Sequence, residues 1–599
     1  MSHEDTPGLA HVTHVFGRAL SRRSLLRGTA AALGTGAVAS LIAACGGSTA
    51  GSPTSTTASS GGTTGGGATP TAGTGGGTTA SPAASGTQPA TTGSGSTPRK
   101  GGNLIVAFNA DPTTFDPHVT TALLAAQVIA LTNDNLIDRD YDGSFKPAMA
   151  EKWDVSADGK TYTFTLKKGI TFHSGKAFTS ADVKYTFTRW ASADLKSPTA
   201  YTIQPLDTMD TPDDQTITFK LKDVYNIFLD QLAGSYAVVL NQAAVDKAGK
   251  DYGVNTVDGT GPYKFVSWTR NQSIKFSRFD AFNWNSPVFQ NPGPAYVDTL
   301  EIQIVPEDNT RVAQFQSGNI QVLHDVPAAQ VQPLSSTPGV KIIKYDQLQT
   351  TYLGMNTTKP PVDDVNVRMA INYALNRDEI VTGANFGLGI SANTMLAPAT
   401  PYYWQGSQQI APTFDLNKAK QILDQAGWKA GSDGMRSKNG TALTLPLWII
   451  NDSTTTLQAQ IIQQQLAKAG INVQTKQYEQ TAWFAAASKG DQVGYIIGVF
   501  YDNADVLYFY FYSKQQPAPN RFLYSNADVD KWLLDTRANP DKTAVTQDYQ
   551  NIQKQLIQDA PAAPFIHSGG TLGVTNTVNG VKVHPSRWLY RMTDLWLSQ

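Results

Sequence analysis

The sequence predicts a mixed α/β protein made of two unlike halves, a β-rich first half and a second half in which helices and strands take turns. Three observations carry this. From Gly101 onward a Gly/Ser/Thr/Ala/Pro-rich leader gives way to periodic apolar patterns. Apolar residues then alternate on both sides of Asp158-Gly159. Between Asp415 and Tyr501, helix-spaced and strand-spaced apolar patterns succeed one another.

The leader comes first in the chain. Ser21-Arg22-Arg23-Ser24-Leu25-Leu26 precedes an uncharged Gly/Ala-rich stretch over 28–44 that closes on Leu41-Ile42-Ala43-Ala44-Cys45. This resembles a twin-arginine export signal ending in a lipobox, so residues 1–45 are expected to be a signal peptide. Small residues at Ala43 and Ala44 admit a signal peptidase, and Cys45, the only cysteine in the chain, becomes an acylated N-terminus anchored in a membrane. Two or three acyl chains hold a protein stably where one does not. A spanning helix needs about 20 strongly apolar residues, and this stretch is shorter and rich in glycine. Residues 46–100 read as a disordered linker, since 46–98 carry no charge and no aromatic side chain and cannot bury enough apolar surface to fold. As a flexible coil the linker spans roughly 40 Å. A wall-crossing or glycosylated spacer fits the same composition.

In the first half, Asn103-Leu104-Ile105-Val106-Ala107-Phe108 reads as a strand. Trp153 and Val155, then Tyr162, Phe164 and Leu166, form a hairpin around the Asp158-Gly159 turn. A second ribbon, 216–221, follows Pro212-Asp213-Asp214. Thr179 lies three residues before Asp182, the spacing of a capping box, and opens a helix carrying Val183, Phe187 and Trp190. In the second half, Asp415 caps a helix with Ile422 and Leu423 inward and Gly427 as its stop, and 443–450 forms a strand. A helix through Leu457, Ile461 and Leu466 ends at Gly470. Strand 471–478, helix 482–489 and the apolar run 493–501 complete an alternation that implies a largely parallel sheet with crossover helices.

The charge balance, 47 Lys plus Arg against 48 Asp plus Glu with only 16% charged residues, leaves no basic footprint for nucleic acid. The chain holds no His-Glu-x-x-His, no Gly-x-Ser-x-Gly elbow and no phosphate-binding loop. It therefore reads as a non-enzyme needing no cofactor. His118, His173, His324, His567 and His584 are far apart and read as structural, with no metal site. Gly259-Thr260-Gly261-Pro262-Tyr263 reads as a turn, not a nucleotide loop. Most of the aromatic cluster Phe500, Tyr501, Tyr508, Phe509, Tyr510, Phe511 and Tyr512 reads as core, a minority as a pocket wall, with Tyr501 the candidate. Trp404, in the loop Pro401-Tyr402-Tyr403-Trp404-Gln405-Gly406, is a second candidate binding residue.

Pro147-Ala148-Met149-Ala150-Glu151-Lys152-Trp153, Asp158 to Leu166, Gly169, Phe172-His173, Gly175 and Ala181-Asp182-Val183 together resemble the family 5 extracellular solute-binding proteins. The likeness continues through Asp111-Pro112, Asp116-Pro117, Gly259 to Tyr263, Gly318-Asn319-Ile320, Asn356 and Pro361 to Arg368, and spans essentially all of 101–599. It implies a two-lobed, periplasmic-binding-protein-like fold of the type II, three-subdomain variety. Lobe I would comprise 101–348 and 566–599, with a β-rich subdomain at about 145–258, and lobe II 349–565. Hinge strands are expected near Gln347 to Tyr352 and Pro564 to His567. The implied role is the binding component of an ABC importer, a monomer that closes on a small solute and hands it to a permease and ATPase. A peptide is the leading ligand; nickel, haem, glutathione and oligosaccharide binders share the family, and a non-transport sensor shares the fold. A secreted hydrolase with a scattered carboxylate pair is a distant alternative. Asp502 follows the run 493–501, at the carboxyl end of a strand where open α/β sheets place ligands. In the peptide-binding relatives an aspartate at the matching position, three residues after a tryptophan, holds the peptide amine. Here Val499 replaces that tryptophan, and Val506 a downstream proline. Asp502 or Asp505 is expected to cap the helix running toward Tyr512, leaving the other carboxylate free for the ligand.

Overall fold

The computed structural model describes residues 97–585, 589 and 591–598. The twin-arginine segment, Cys45 and linker residues 46–96 lie outside the described residues. Among the described residues no helix is long and apolar enough to cross a membrane.

An eleven-stranded mixed sheet runs through both halves of the molecule. Its spine is two long antiparallel strands, Val340–Met355 and Ala562–Thr575, paired from Val340 opposite Thr575 to Gly354 opposite Ala562. On one flank stands Val322–His324, then Asn103–Phe108 parallel to both its neighbours, then Thr299–Ile304 and the antiparallel ribbons Ser273–Arg278 and Tyr263–Thr269. On the other flank Gly494–Phe500 runs antiparallel to the spine, and Thr444–Ile450 and Asn472–Tyr478 are parallel to it. The expected parallel sheet is thus confined to three strands. Helices Ser453–Lys468 and Gln480–Ala487 return the chain across the sheet and force parallel pairing there. The spine strands arrive from the other half with no such crossover, so they run the opposite way.

The pairing of the spine slips between Asp346 opposite Gly569 and Thr350 opposite His567, and again at Tyr352. Hydrophobic cores form separately on either side of this slip. Val106, Ile302, Ile343 and Leu572 share one, while Leu353, Ile371, Leu447 and Ile566 share another. Two bodies with their own cores, joined by two strands, form a two-lobed molecule.

The local signals in the first half fold as read. Ala150–Val155 and Thr161–Leu166 pair as a hairpin whose Gly159 has φ +70°, a conformation that costs glycine nothing. With Thr216–Leu221 and Leu206–Asp213 they make a four-stranded antiparallel sheet. Phe164, Ile217 and Phe219 on its inner face pack against Val183, Phe187 and Trp190 of helix Ser180–Trp190. Both arms of the Thr179–Asp182 capping box are present. Gly261 serves close approach: a Cβ there would lie 2.6 Å from the Thr132 carbonyl carbon. Asp415 accepts from Lys418 N as the cap of helix Leu416–Gln425. Helix Ser453–Lys468 differs in phase from the reading, burying Ala459, Ile462 and Leu466 and leaving Leu457 exposed.

Candidate functional site

The lobes face each other across a cleft rich in tyrosine. From the second lobe, strand Gly494–Phe500 ends and the chain turns through Tyr501, Asp502, Asn503 and Asp505 into the short helix Val506–Phe511. Asn503 Oδ1 accepts the Asp505 amide and fixes this turn. From the first lobe come Tyr201, Tyr225, Tyr236 and the ion pair of Arg139 and Asp230. The lobes touch directly. Asn226 Nδ2 donates to the carbonyls of Thr536 (2.9 Å) and Asn539 (2.6 Å), and its backbone amide donates to the Arg537 carbonyl at 2.9 Å. The Tyr201 ring meets Phe509 edge-on at 5.8 Å. Tyr201 leaves 53% of its surface accessible, yet burial raises its hydroxyl pKa, with Tyr510 and Asp505 of the opposite lobe adding to the rise. Tyr201 is thus accessible and stands where the two lobes meet.

Asp502 and Asp505 sit on one turn in different surroundings. Asp505 is fully buried, and its carboxylate lies 3.3 Å from Arg537 Nε. Burial pushes its pKa up to about 6, with Arg537 pulling the other way. The guanidinium of Arg537 lies 3.9 Å from the ring centroid of Tyr508 and donates to the Tyr225 hydroxyl at 3.3 Å across the lobe boundary. Burial works to lower Arg537 and the charge of Asp505 overcomes it, so its pKa rises. The expectation that one of the two carboxylates caps the following helix fails: Asp505 occupies the N-cap position but its side chain accepts no capping bond, because it is turned toward Arg537.

Asp502 is half-buried and, among the described residues, accepts no hydrogen bond and forms no ion pair. Its charge reaches the first lobe. Burial tends to lower the Arg139 guanidinium, and Asp230 and Asp502 together overcome it. Burial raises the Asp230 carboxyl, opposed by Arg139 and reinforced by Asp502. Tyr236 is pushed up to about 12 by burial, with Tyr201 and Asp502 adding. Two matched pairs, Arg139 with Asp230 and Arg537 with Asp505, therefore flank one unmatched carboxylate. The half-buried Asp502 carboxylate, without an ion-pair partner among the described residues, is a place where a cation such as an ammonium can bind.

Tyr501 stands at the rim beside Asp502, and its ring lies 5.5 Å from Phe509. Of the aromatic cluster only Phe511 is fully buried, while Phe500, Tyr501, Tyr508, Phe509, Tyr510 and Tyr512 are half-buried. Tyr501, Tyr508, Tyr510 and Tyr512 pack, half-buried, against the core cluster that holds Phe511, as the reading of most of these rings as core expects. Trp404 is not brought to this group by any contact. It is half-buried over Gly406, where a Cβ would strike its ring at 2.6 Å, and its amide donates to Gln553. Its neighbour Tyr402, with φ +63° and 42% exposed, is the residue of that loop that stacks at 4.7 Å on Tyr549 and senses Asp230 of the first lobe. Sequence reasoning missed Tyr402, Arg139, Asp230, Tyr201, Tyr225 and Tyr236. They come from segments up to 263 residues apart (139 to 402) and carry no shared local signal.

Comparison with known proteins agrees in fold and in sequence. A family model described as "Bacterial extracellular solute-binding proteins, family 5 Middle" matches residues 144–519. The oligopeptide-binding protein AppA of Bacillus subtilis (strain 168) is 28% identical over 519 residues, covering 84% of this chain and 93% of that protein. The glutathione-binding protein GsiB of Pectobacterium atrosepticum is 29% identical over 472 residues, covering 77% and 87% of the two chains. The solved structure of Bacillus subtilis AppA in complex with a nonapeptide superposes with a TM-score of 0.69 at 26% identity, covering 84% of this chain and all of that one (100%).

Proposed function

The chain belongs to the bacterial extracellular solute-binding proteins of family 5, and from that premise we propose that it is the peptide-binding component of an ABC importer. The ligand is held between the lobes and passed to a membrane permease with its ATPase. The observation that carries the peptide reading is the unmatched carboxylate of Asp502 between two matched ion pairs. A peptide supplies what this cleft lacks. Its α-ammonium pairs with Asp502, and its backbone amides meet tyrosine hydroxyls while its side chains lie on tyrosine rings. The peptide complex of the similar AppA supports this class of ligand.

Closure follows from the spine. The hinge is placed where the pairing of Val340–Met355 with Ala562–Thr575 slips, at 347–349 and 568, so that each lobe moves as a rigid body. Lobe I then comprises 101–348 and 566–599 with its β-rich subdomain at about 145–258, and lobe II comprises 349–565. The receptor acts as a monomer, since one chain supplies both walls. The lone Cys45 behind its lipobox is the anchor, and the linker lets the receptor range over its permease.

The test is calorimetric titration of the protein, and of Asp502→Asn and Asp505→Asn, with peptides retained from a defined pool. Removing one partner of a desolvated ammonium–carboxylate pair costs about 2 to 5 kcal/mol, so Asp502→Asn should weaken binding at least about thirtyfold. Equal affinity of that variant and the parent would end the assignment, and a loss confined to Asp505→Asn would move the anchor three residues on.

A further inference from the structure

The two spine strands are not the only link between the lobes. Helix Arg377–Asn385 of the second lobe ends at Phe386, whose φ of +52° turns the chain out of the helix. The loop that follows runs to spine strand Ala562–Thr575 and pairs with it, Ile390 opposite His567 and Ser391 opposite Ile566. Thr350 and Thr351 of the other spine strand already pair with those two residues, so the loop takes the opposite edge. Further along that same edge, Val322–His324 of the first lobe pairs with Leu572, Gly573 and Val574. The loop thus reaches the spine where its pairing slips. It comes closest at Gly389, where φ is +91° and a Cβ would lie 2.5 Å from the His567 carbonyl oxygen and 2.9 Å from the Gly569 nitrogen, so glycine is required there.

The base of this loop is fixed to the second lobe. Arg377 Nε donates to the carbonyls of Ala392 (2.7 Å) and Pro564 (2.8 Å), Ser391 Oγ donates to Asp378, and Asn385 Oδ1 accepts from Gln458 Nε2 at 3.0 Å. Its tip goes the other way. Leu388, half-buried, packs against a small core whose buried members all belong to the first lobe, among them Ala107, Phe315, Leu323 and Val326. With its base on one lobe and its tip on the other, the loop cannot follow both when they rotate. Opening must draw the Leu388 side chain off the first-lobe core and return apolar surface to water, which costs free energy.

We propose that loop 387–391 is a strap across the hinge, with Leu388 as its grip on the first lobe, and that it biases the receptor toward the closed arrangement before any ligand arrives. The inference rests on the hinge closure proposed above. A strap of this kind sets how much of the ligand's binding energy goes into closing the lobes, because the fraction already closed scales the apparent affinity.

The experiment uses the full chain with Cys45→Ser, which removes the only cysteine, and spin labels on Asp223→Cys and Lys542→Cys. These exposed positions lie on opposite lobes, three residues from the two ends of the contact between Asn226 and Asn539. Pulsed electron paramagnetic resonance then reads the distance between the labels. Without peptide the parent should show a short and a long distance, and Leu388→Ser should raise the ratio of long to short at least about threefold. Gly389→Ala, whose methyl group meets the His567 carbonyl, should shift the ratio in the same direction. Leu388→Met keeps an apolar side chain at the tip and should hold the parent ratio, as should Phe386→Ser, which alters an exposed ring outside the contact. A thermal melt of each variant guards against misfolding. An equal ratio in the parent and in folded Leu388→Ser overturns the inference and leaves hinge closure standing. A single distance shared by the parent and every variant, with and without a random tetrapeptide pool, overturns hinge closure, and this inference with it.

Discussion

The two lobes place their charges differently at the cleft. In the first lobe the buried charges are matched within the lobe: Arg139 with Asp230, and Arg591 with Asp134 and Asp138 at 3.0 and 3.3 Å. In the second lobe Asp505 and Arg537 are matched, the buried Arg368 and Arg377 are held by backbone carbonyls, and the half-buried Asp502 has no ion-pair partner among the described residues. A buried charge held by an ion pair or by backbone carbonyls keeps a surface in shape, while a half-buried carboxylate with neither is free to take a ligand's cation. On the function proposed above, this difference gives recognition to the second lobe and makes the first a cover that supplies tyrosine faces and closing contacts.

The largest effect should come from breaking a matched pair. Arg537→Met leaves Asp505 buried and uncompensated, which should cost about 3 to 5 kcal/mol of folding stability, measured by urea unfolding. Loss below 1 kcal/mol would mean that Asp505 protonates at little cost and that the contrast between the two carboxylates of the turn is weaker than drawn.

Next is the spine that joins the lobes. His567 is buried, bonded through Nδ1 to Thr350 Oγ1 at 2.9 Å, and burial lowers its pKa to about 4. The unfolded chain takes up that proton near pH 6.5 and the folded one only near 4, so stability present above pH 6.5 is lost on acidification toward 4. The loss between pH 7 and 4.5 is about 2.5 kcal/mol from this side chain. Asp505, raised to about 6, works in the opposite sense over the same window. The histidine is therefore isolated by difference: His567→Asn should lose about 2.5 kcal/mol less than the parent between the two pH values. Parallel stability curves for the two proteins would place that proton elsewhere.

The smallest effect concerns the cover. Asn226→Ala removes two hydrogen bonds that bridge the lobes. At about 0.5 to 1.5 kcal/mol each, their loss should weaken peptide affinity several-fold, mainly through faster dissociation, with little change in the melting of the second lobe. A variant that binds as tightly as the parent would show that closure does not depend on this contact.

These outcomes also mark what was legible in the sequence. Signals that act within a few residues survive folding: the Thr179–Asp182 capping box, the Asp158–Gly159 turn and the Asp415 cap form as read. The direction of the spine strands was not legible, because pairing between 340–355 and 562–575 is decided by contacts more than 200 residues apart (355 to 562). Leu457 reads as inward by spacing, and tertiary packing rotates its helix so that Ala459 and Ile462 take that face. At the cleft, strand end and resemblance converge on Asp502, which is why it stands as the proposed anchor. Nothing local separates it from Asp505, whose role is set by Arg537, 32 residues on (505 to 537).

The most direct test of the account leaves the protein unaltered and changes one charge on the ligand. A retained peptide and its N-acetylated form, titrated into the protein at the same pH and salt, differ only in the ammonium assigned to Asp502. The account predicts a loss of at least about thirtyfold on acetylation, roughly 2 kcal/mol. Equal affinity for the two peptides would contradict it.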